Sequence, residues 1–271
     1  MFVGNAACIP DATAGSCTLC GHPSLEVYFD AGRWRILHCR RCGNAVTDPR
    51  PVNHEAVVPD FHSQFGYNTL DDVSPQWRGA VLKQIDLLTS QLAPGAAILE
   101  IGCGRGLALR ELTSRGYAAT GIEISPAAAA AARFNGLDVR AADFMALDDP
   151  GTYDAIFLSH VLEHVPDVGP FLDKVAAALK LSGVVVFAQT NWQGLVPRLQ
   201  RRRWYGWTPD QHCWHFTPQG LATVLALHGW TVLRTEQSSL SHGNSLLSRL
   251  GPVIGLGDQF HLAAVRPVPG G

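Results

Sequence analysis

The sequence predicts an α/β protein, a doubly wound, seven-stranded, mostly parallel sheet preceded by a small N-terminal metal-binding module. Three observations carry that prediction. From Ala96 onward, apolar runs of strand length alternate with segments of helical apolar spacing, the pattern of a parallel sheet with crossover helices. The run Ala97-Ile98-Leu99-Glu100-Ile101 ends in glycines at 102, 104 and 106, which reads as a strand delivering a tight loop to a nucleotide-type cofactor. Near the N-terminus, four of the seven cysteines form two C-x-x-C pairs, which suits metal ligation in a reducing compartment better than a disulfide scaffold.

Composition bounds the rest. A chain of 271 residues, 46% hydrophobic and 16% charged, holds one large domain, or one domain plus a small module. A formal charge of −2 excludes a global basic field, so a nucleic acid is not the expected partner unless a local patch meets it. No apolar stretch approaches the roughly 20 residues of a membrane span, and no basic-then-apolar leader opens the chain. A cytoplasmic protein without a membrane partner is expected; composition is silent on oligomeric state.

In chain order, residues 1–50 form the first unit. Cys17-Thr18-Leu19-Cys20 and Cys39-Arg40-Arg41-Cys42 are eighteen residues apart, inside the window for a structural zinc site. Gly21 and Gly43 follow the second cysteine of each pair and allow the positive φ of a metal knuckle. Between them, Leu25–Asp30 and Arg33–His38 flank Ala31-Gly32 and read as two strands and a turn. The module resembles a zinc ribbon. Four thiolates leave Zn2+ no open position, so the ion stabilises a hairpin with little core of its own and does no chemistry. His22 or His38 in place of one thiolate is the alternative ligand set, and Cys8, Cys103 and Cys213 remain free thiols.

Residues 51–73 read as a connector, marked by Thr47-Asp48-Pro49-Arg50-Pro51 and Val58-Pro59-Asp60. The unit spanning 74–271 opens with an amphipathic helix from about Ser74 to Leu92, with Trp77, Val81, Ile85, Leu88 and Leu92 on one face. Expected strands are Ala97–Ile101, Ala118–Ile124, Leu137–Ala141, Tyr153–Ser159, Gly183–Thr190, Trp230–Thr235 and Gln259–Val265. Expected helices are Leu107–Arg115, Pro126–Asn135, Val168–Ala178 and Pro218–His228.

The strand ends carry the candidate chemistry. The G-x-G-x-G spacing differs from the G-x-G-x-x-G of a dinucleotide site and points away from NAD. Glu123 ends the second strand seventeen residues past Gly106, near the offset where an acid meets a ribose. Asp143-Phe144 follows the third strand, a carboxylate beside a ring that suits the exocyclic amine of adenine. The fourth strand runs into Ser159-His160-Val161-Leu162-Glu163-His164-Val165-Pro166.

Taken together, ILEIGCGRG, GIEIS, AADF, YDAIFLSHVLEHV and LSGVVVFAQT resemble the S-adenosylmethionine-dependent methyltransferases of the Rossmann-like class I fold, over roughly residues 74–266. The resemblance implies S-adenosyl-L-methionine as cofactor and S-adenosyl-L-homocysteine as product. It implies Glu100, Gly102, Cys103, Gly104 and Gly106 around the methionine portion, Glu123 on the ribose, Ile124 on the adenine face, and Asp143 and Phe144 at the adenine edge. Ser159 and His160 line the cofactor, and Tyr67 is a weaker candidate from the preceding segment. The physical logic agrees: a sulfonium donor is a cation suited to carboxylates, and its thioether leaving group requires no acid. In-line positioning and removal of the acceptor's proton remain.

For that proton, His160, Glu163 and His164 fall at i, i+3 and i+4 of the turn after the fourth strand, which a helical turn would bring onto one face. The segment is similar to the ubiquinone-biosynthesis O-methyltransferases, whose E-x-x-E-H arrangement is associated with a divalent cation; here His160 replaces the first acid. Base, metal ligand and helix-capping roles stay open, with imidazole an acceptor at neutral pH because its ordinary pKa is about 6.5. A lid insertion is expected at about 192–216, where Arg198, Arg201, Arg202 and Arg203 interleave with aromatics. They suit an anionic or stacked acceptor, or else form a solvated basic end with the aromatics as core. His212 and His215 fall near the expected acceptor pocket, with His212 a further candidate base.

The leading functional expectation is methyl transfer to a small-molecule acceptor at oxygen, such as a sugar or secondary metabolite. No N-P-P-Y-like quartet follows the fourth strand, and no cysteine is placed for pyrimidine chemistry. Two alternatives accompany it: an rRNA or protein methyltransferase docking through the ribbon and its arginines, and a cofactor-binding protein without turnover.

Overall fold

The computed structural model describes residues 15–51, 70–239 and 246–266. In the first segment β1 (Glu26–Ala31), β2 (Trp34–His38) and β3 (Ala45–Asp48) form an antiparallel meander. The first two strands match expectation within a residue or so; β3 does not, since its four residues carry too short an alternation to register as a strand.

After α1 (Pro75–Thr89) come β4 (Ala97–Ile101), α2 (Leu107–Ser114), β5 (Ala118–Glu123), α3 (Pro126–Phe134), β6 (Val139–Ala141) and β7 (Tyr153–Ser159). Then follow α4 (Val168–Ala178), β8 (Leu179–Thr190), α5 (Leu195–Gln200), β9 (Trp214–His215), α6 (Pro218–Leu227), β10 (Thr231–Ser238), α7 (Leu246–Val253) and β11 (Gln259–Val265). Seven strands make one sheet in the order β10-β11-β8-β7-β4-β5-β6. β4 to β8 pair in parallel, and β11 runs antiparallel to both neighbours. This is the expected doubly wound sheet.

Local sequence explains the element ends. Ser74 caps α1, its side chain accepting from the Trp77 amide, and Pro75 takes the first helical position. Ser125 with Pro126 and Thr217 with Pro218 start α3 and α6 in the same way. Val184-Val185-Val186-Phe187-Ala188 is buried on both faces, hence continuously apolar. α1 and α2 pack on one face over Ile98, Phe157 and Val186, and α4 and α6 cover the other over Ile156, Val185 and Leu262.

The second core runs without a break into the N-terminal module, taking in Leu37, Val46 and the four paired cysteines. β9 is the reason: these two residues add a fourth strand to the small sheet, order β1-β2-β3-β9. The first unit and the segment after β8, separate in the sequence expectation, thus share a sheet.

Candidate active site

The carboxyl ends of β4, β5, β6 and β7 meet at one edge of the sheet, where the expected cofactor residues gather. Gly102, Gly104 and Gly106 all have positive φ (68°, 54° and 89°), as a loop that doubles back must. The amides of Gly102 and Cys103 donate to Ile122 O at 2.8 and 3.3 Å, tying the loop to β5. A Cβ on Gly102 would lie 2.5 Å from Val161 Cγ2, so the loop sits directly against the turn after β7.

Glu123 is 5% exposed. Its two oxygens accept from the Gly104 and Ser125 amides, each at 2.8 Å. Burial raises its pKa while those amides oppose the rise. Glu100, also buried, has one oxygen with no partner, and burial pushes its carboxyl up to about 8. Cys103 packs beneath the loop, its thiol raised by burial. Ile124, by contrast, is a large apolar side chain left 45% exposed beside these acids.

Two expected residues follow β6. Phe144 is buried, its ring edge-on to Phe171 at 5.3 Å between centroids, so it packs in the core under α4. Asp143 is exposed but caps the short turn after β6, accepting from the Met145 amide at 2.9 Å. Tyr67 lies outside the described residues.

Beyond β7, Ser159 donates its hydroxyl to Gln84 Oε1 of α1 at 3.0 Å. His160 takes a left-handed backbone, φ 57°, which strains a side-chain-bearing residue. Its Nδ1 lies 3.1 Å from Glu163 Oε1, its Nε2 is buried without a partner, and its ring lies 5.6 Å from that of Trp77. Glu163 is 1% exposed; burial would raise its pKa, but the His160 hydrogen bond outweighs it and holds the carboxyl at about 2.

His164 leaves this pair because residues 162–164 form a tight 3-10 turn. Its Nδ1 lies 3.1 Å from Gln211 O, and its ring meets that of His212 edge-on at 4.8 Å. His212 Nδ1 lies 3.2 Å from Gly206 O, and His215 Nε2 lies 3.0 Å from Thr47 Oγ1. Burial lowers the pKa of His164, His212 and His215, the last to about 3. Sequence spacing brings together His160 and Glu163; only the fold brings in His212, and Thr47 and Trp77 carried no signal at all.

In the segment after β8, Trp204 and Trp207 are buried with Trp192 and Phe29, while Arg201, Arg202 and Arg203 are exposed. The three tryptophans are core, Tyr205 is 45% exposed, and the guanidinium of Arg202 lies 5.8 Å from the centre of the Phe29 ring.

Two groups among the described residues have the donor spacing of a metal site: the four cysteines, and Glu163 with His164 and His212. Cys17 and Cys42 sulfurs are 3.9 Å apart and those of Cys20 and Cys39 3.6 Å, close to the ~3.8 Å edge of a tetrahedron with ~2.3 Å Zn–S bonds. Each knuckle is closed by a glycine amide, Gly21 on Cys17 O and Gly43 on Cys39 O, both at 2.8 Å.

A family profile described as a methyltransferase domain matches residues 76–235, more than half of the chain. The ubiquinone biosynthesis O-methyltransferase of Rhodopseudomonas palustris (strain HaA2) is 33% identical over 158 residues, 54% of this chain and 62% of that protein. The enzyme of the same name from Nitrobacter winogradskyi is 33% identical over 148 residues, 47% of this chain and 57% of that protein. The chain thus spans about three fifths of the length of these two relatives. Among solved structures, Burkholderia thailandensis 1,6-didemethyltoxoflavin-N1-methyltransferase, with bound 1,6-didemethyltoxoflavin and S-adenosylhomocysteine, superposes with a TM-score of 0.58. It shares 18% identity, with 90% of this chain and all of that one covered. A Thermotoga maritima structure described as a possible histamine N-methyltransferase gives 0.57 at 16% identity, covering 78% and 96%. No helix among the described residues is long and apolar enough to cross a membrane. With the family match lying over the glycine loop and six of the seven sheet strands, the chain belongs to the methyltransferase domain family and carries a class I S-adenosylmethionine-dependent methyltransferase domain.

Proposed function

We propose that the chain transfers the methyl group of S-adenosylmethionine to a hydroxyl oxygen of a small-molecule acceptor, with His160 as general base. The carrying observation is the His160–Glu163 pair. A carboxylate on Nδ1 fixes the tautomer that leaves the Nε2 lone pair free, in a buried position at the carboxyl end of β7. The hydroxyl proton passes to Nε2 as the oxygen attacks the methyl carbon and the S–C bond breaks. Neutral S-adenosylhomocysteine leaves. His164 and His212, Nδ1 on backbone carbonyls, back the pair as uncharged imidazoles that leave Glu163 its charge for His160.

For the cofactor, Glu123 is assigned to the ribose hydroxyls, Ile124 to the adenine face and Glu100 with the glycine loop to the methionine end. Asp143 and Phe144 are assigned to the adenine edge, and Ser159 to the wall beside α1. Residues 1–50 are assigned as a zinc ribbon, with Cys17, Cys20, Cys39 and Cys42 holding one structural Zn2+. Residues 51–73 are assigned as the connector and 192–216 as the acceptor lid of the 74–271 unit.

The similarity to O-methyltransferases favours an oxygen acceptor. The RNA-docking alternative rests on the ribbon's arginines, of which Arg33, Arg40 and Arg41 are exposed and Arg35 is largely covered. Arg33 lies over Trp34, Arg35 pairs with Asp48, Arg40 with Glu26, and Arg41 donates to Cys20 O.

The test offers phenols, sugars and ribosomal RNA to the purified chain with S-adenosylmethionine, and repeats the active pairing with His160→Ala. A drop of about 10²–10⁴ in turnover with S-adenosylhomocysteine affinity retained is expected; wild-type turnover removes His160 as base. Metal content is read alongside. One ion per chain fits the ribbon alone, and a second, lost in His212→Ala, would recast the Glu163, His164 and His212 nest as a metal centre.

A further inference from the structure

The N-terminal module and the acid–histidine nest are joined by an unbroken run of hydrogen bonds. β3 pairs with β9 in the register Ala45↔His215 and Val46↔Trp214. The Thr47 amide donates to Cys213 O at 3.0 Å, and the Cys213 amide donates to Glu163 O at 2.8 Å. Trp214 Nε1 donates to Val165 O at 3.0 Å, one turn past the nest. At the centre sits the Thr47 side chain, fully buried, with its hydroxyl 3.0 Å from His215 Nε2. His215 in turn lies 5.9 Å, ring to ring, from His212.

The approach is close by construction. Asn44 Oδ1 accepts from the Thr217 amide at 3.2 Å, and a Cβ on Gly220 would fall 1.9 Å from that oxygen. On the opposite side Tyr28 and Phe29 of β1 meet Trp192 and Trp207 at 5.2 and 5.1 Å between centroids. Segment 192–216 contains a six-residue α-helix, two three-residue 3-10 turns and a two-residue strand, so its own local structure cannot hold its histidines in place. It takes its position from the module on one side and from the turn after β7 and residues 256–259 on the other, and the short strands of the module gain from a cross-link.

We propose that the metal-loaded module is the fixed wall that positions the acceptor-side histidines, with Thr47 as the positioning residue that fixes His215, so that metal release loosens the acceptor side while leaving cofactor binding intact. The metal half rests on the zinc reading above; the Thr47 contact stands without it. Cofactor binding is spared because the glycine loop is held by β5 and Glu123, through hydrogen bonds that do not involve the module.

The experiment uses the full chain as wild type, Cys39→Ser, Thr47→Val and Thr47→Ser. Each is measured for zinc content, for S-adenosylhomocysteine affinity by calorimetry, for amide deuterium uptake across residues 211–217, and for the ring nitrogen resonances of His215. Cys39→Ser is expected to lose zinc and to raise uptake across 211–217 about tenfold or more, with affinity within about twofold of wild type. Thr47→Val keeps zinc and affinity, raises uptake at Cys213–Thr217 about fivefold, the factor for one buried hydrogen bond, and shifts the His215 resonances. Thr47→Ser restores both. Zinc loss with unchanged uptake overturns the metal coupling, and wild-type His215 resonances in Thr47→Val overturn the positioning role. Affinity collapsing in Thr47→Val overturns the separation of the two sites. Wild type without zinc removes only the four-thiolate reading, and if Cys39→Ser fails to fold, the two Thr47 variants carry the test.

Discussion

The Gly104 amide donates to Glu123 Oε2 at 2.8 Å, joining the middle of the glycine loop to the end of β5. With Ser125 N on the other oxygen, the acid assigned to the ribose also shapes the loop before any ligand arrives. Glu123→Ala therefore removes a ligand contact and strands two buried amides, at about 1–3 kcal/mol of stability. The denaturation midpoint should fall, and the Kd for S-adenosylhomocysteine should rise about 10–100-fold, as for a charge-assisted hydrogen bond. A midpoint that falls with affinity unchanged would leave Glu123 a loop support and nothing more.

Glu100 predicts a proton release on cofactor binding. Its carboxyl is raised to about 8 by burial, so it is protonated at pH 7. A sulfonium and an ammonium nearby favour the carboxylate. Affinity for S-adenosylmethionine is then expected to climb as pH rises toward 8 and to level off above it, because fewer molecules have a proton to expel. Calorimetry at pH 7 in buffers of different ionisation enthalpy should read up to about one proton released, and Glu100→Gln should erase that release. Buffer-independent enthalpy in the wild type would take Glu100 out of the methionine end.

Much of this edge is legible in the sequence because its determinants are local. Glycines at 102, 104 and 106 and an acid at the end of the next strand specify backbone geometry over a few residues each, and His160 reaches Glu163 at i+3. The packing of Phe144 was not legible, because Phe171 of α4, distant in sequence, offers its ring a buried site. β9 and the His212–His164 contact are illegible because they exist only across the fold. Two residues become a strand when β3 supplies an edge, 168 residues away in the case of Thr47 and His215.

Acid stability should decline in two overlapping stages. His215 is lowered by burial from its ordinary 6.5 to about 3, so the unfolded chain binds its proton more readily, and stability is lost as pH falls below about 6.5. Glu163 is held at about 2 against an ordinary 4.5, chiefly by the His160 hydrogen bond acting against burial. Its contribution is complete above 4.5 and disappears as pH falls from there toward 2. Urea midpoints from pH 7 to pH 3 should drop throughout, and Glu163→Gln should flatten the decline below pH 4.5 selectively. A decline of equal slope in wild type and variant would mean Glu163 is not held ionised by its neighbours.

Gly106 offers a test in which backbone and packing costs separate. Its φ of 89° disfavours any L side chain, and a Cβ would lie 2.2 Å from Leu137 Cδ1 and 3.5 Å from Ala132 Cβ. Gly106→Ala is expected to cost about 1–2 kcal/mol for the left-handed backbone and about 1–3 kcal/mol for the clash. Leu137→Ala alone opens space and costs stability of its own. In the double variant the new methyl enters that space, so the combined loss should fall short of the sum by about 1 kcal/mol or more. The backbone cost remains, because removing Leu137 does nothing for φ. Thermal and denaturant unfolding of the three variants measure this coupling; strict additivity would mean the loop avoids the clash by moving, and S-adenosylhomocysteine affinity would then fall in Gly106→Ala without recovering in the double variant.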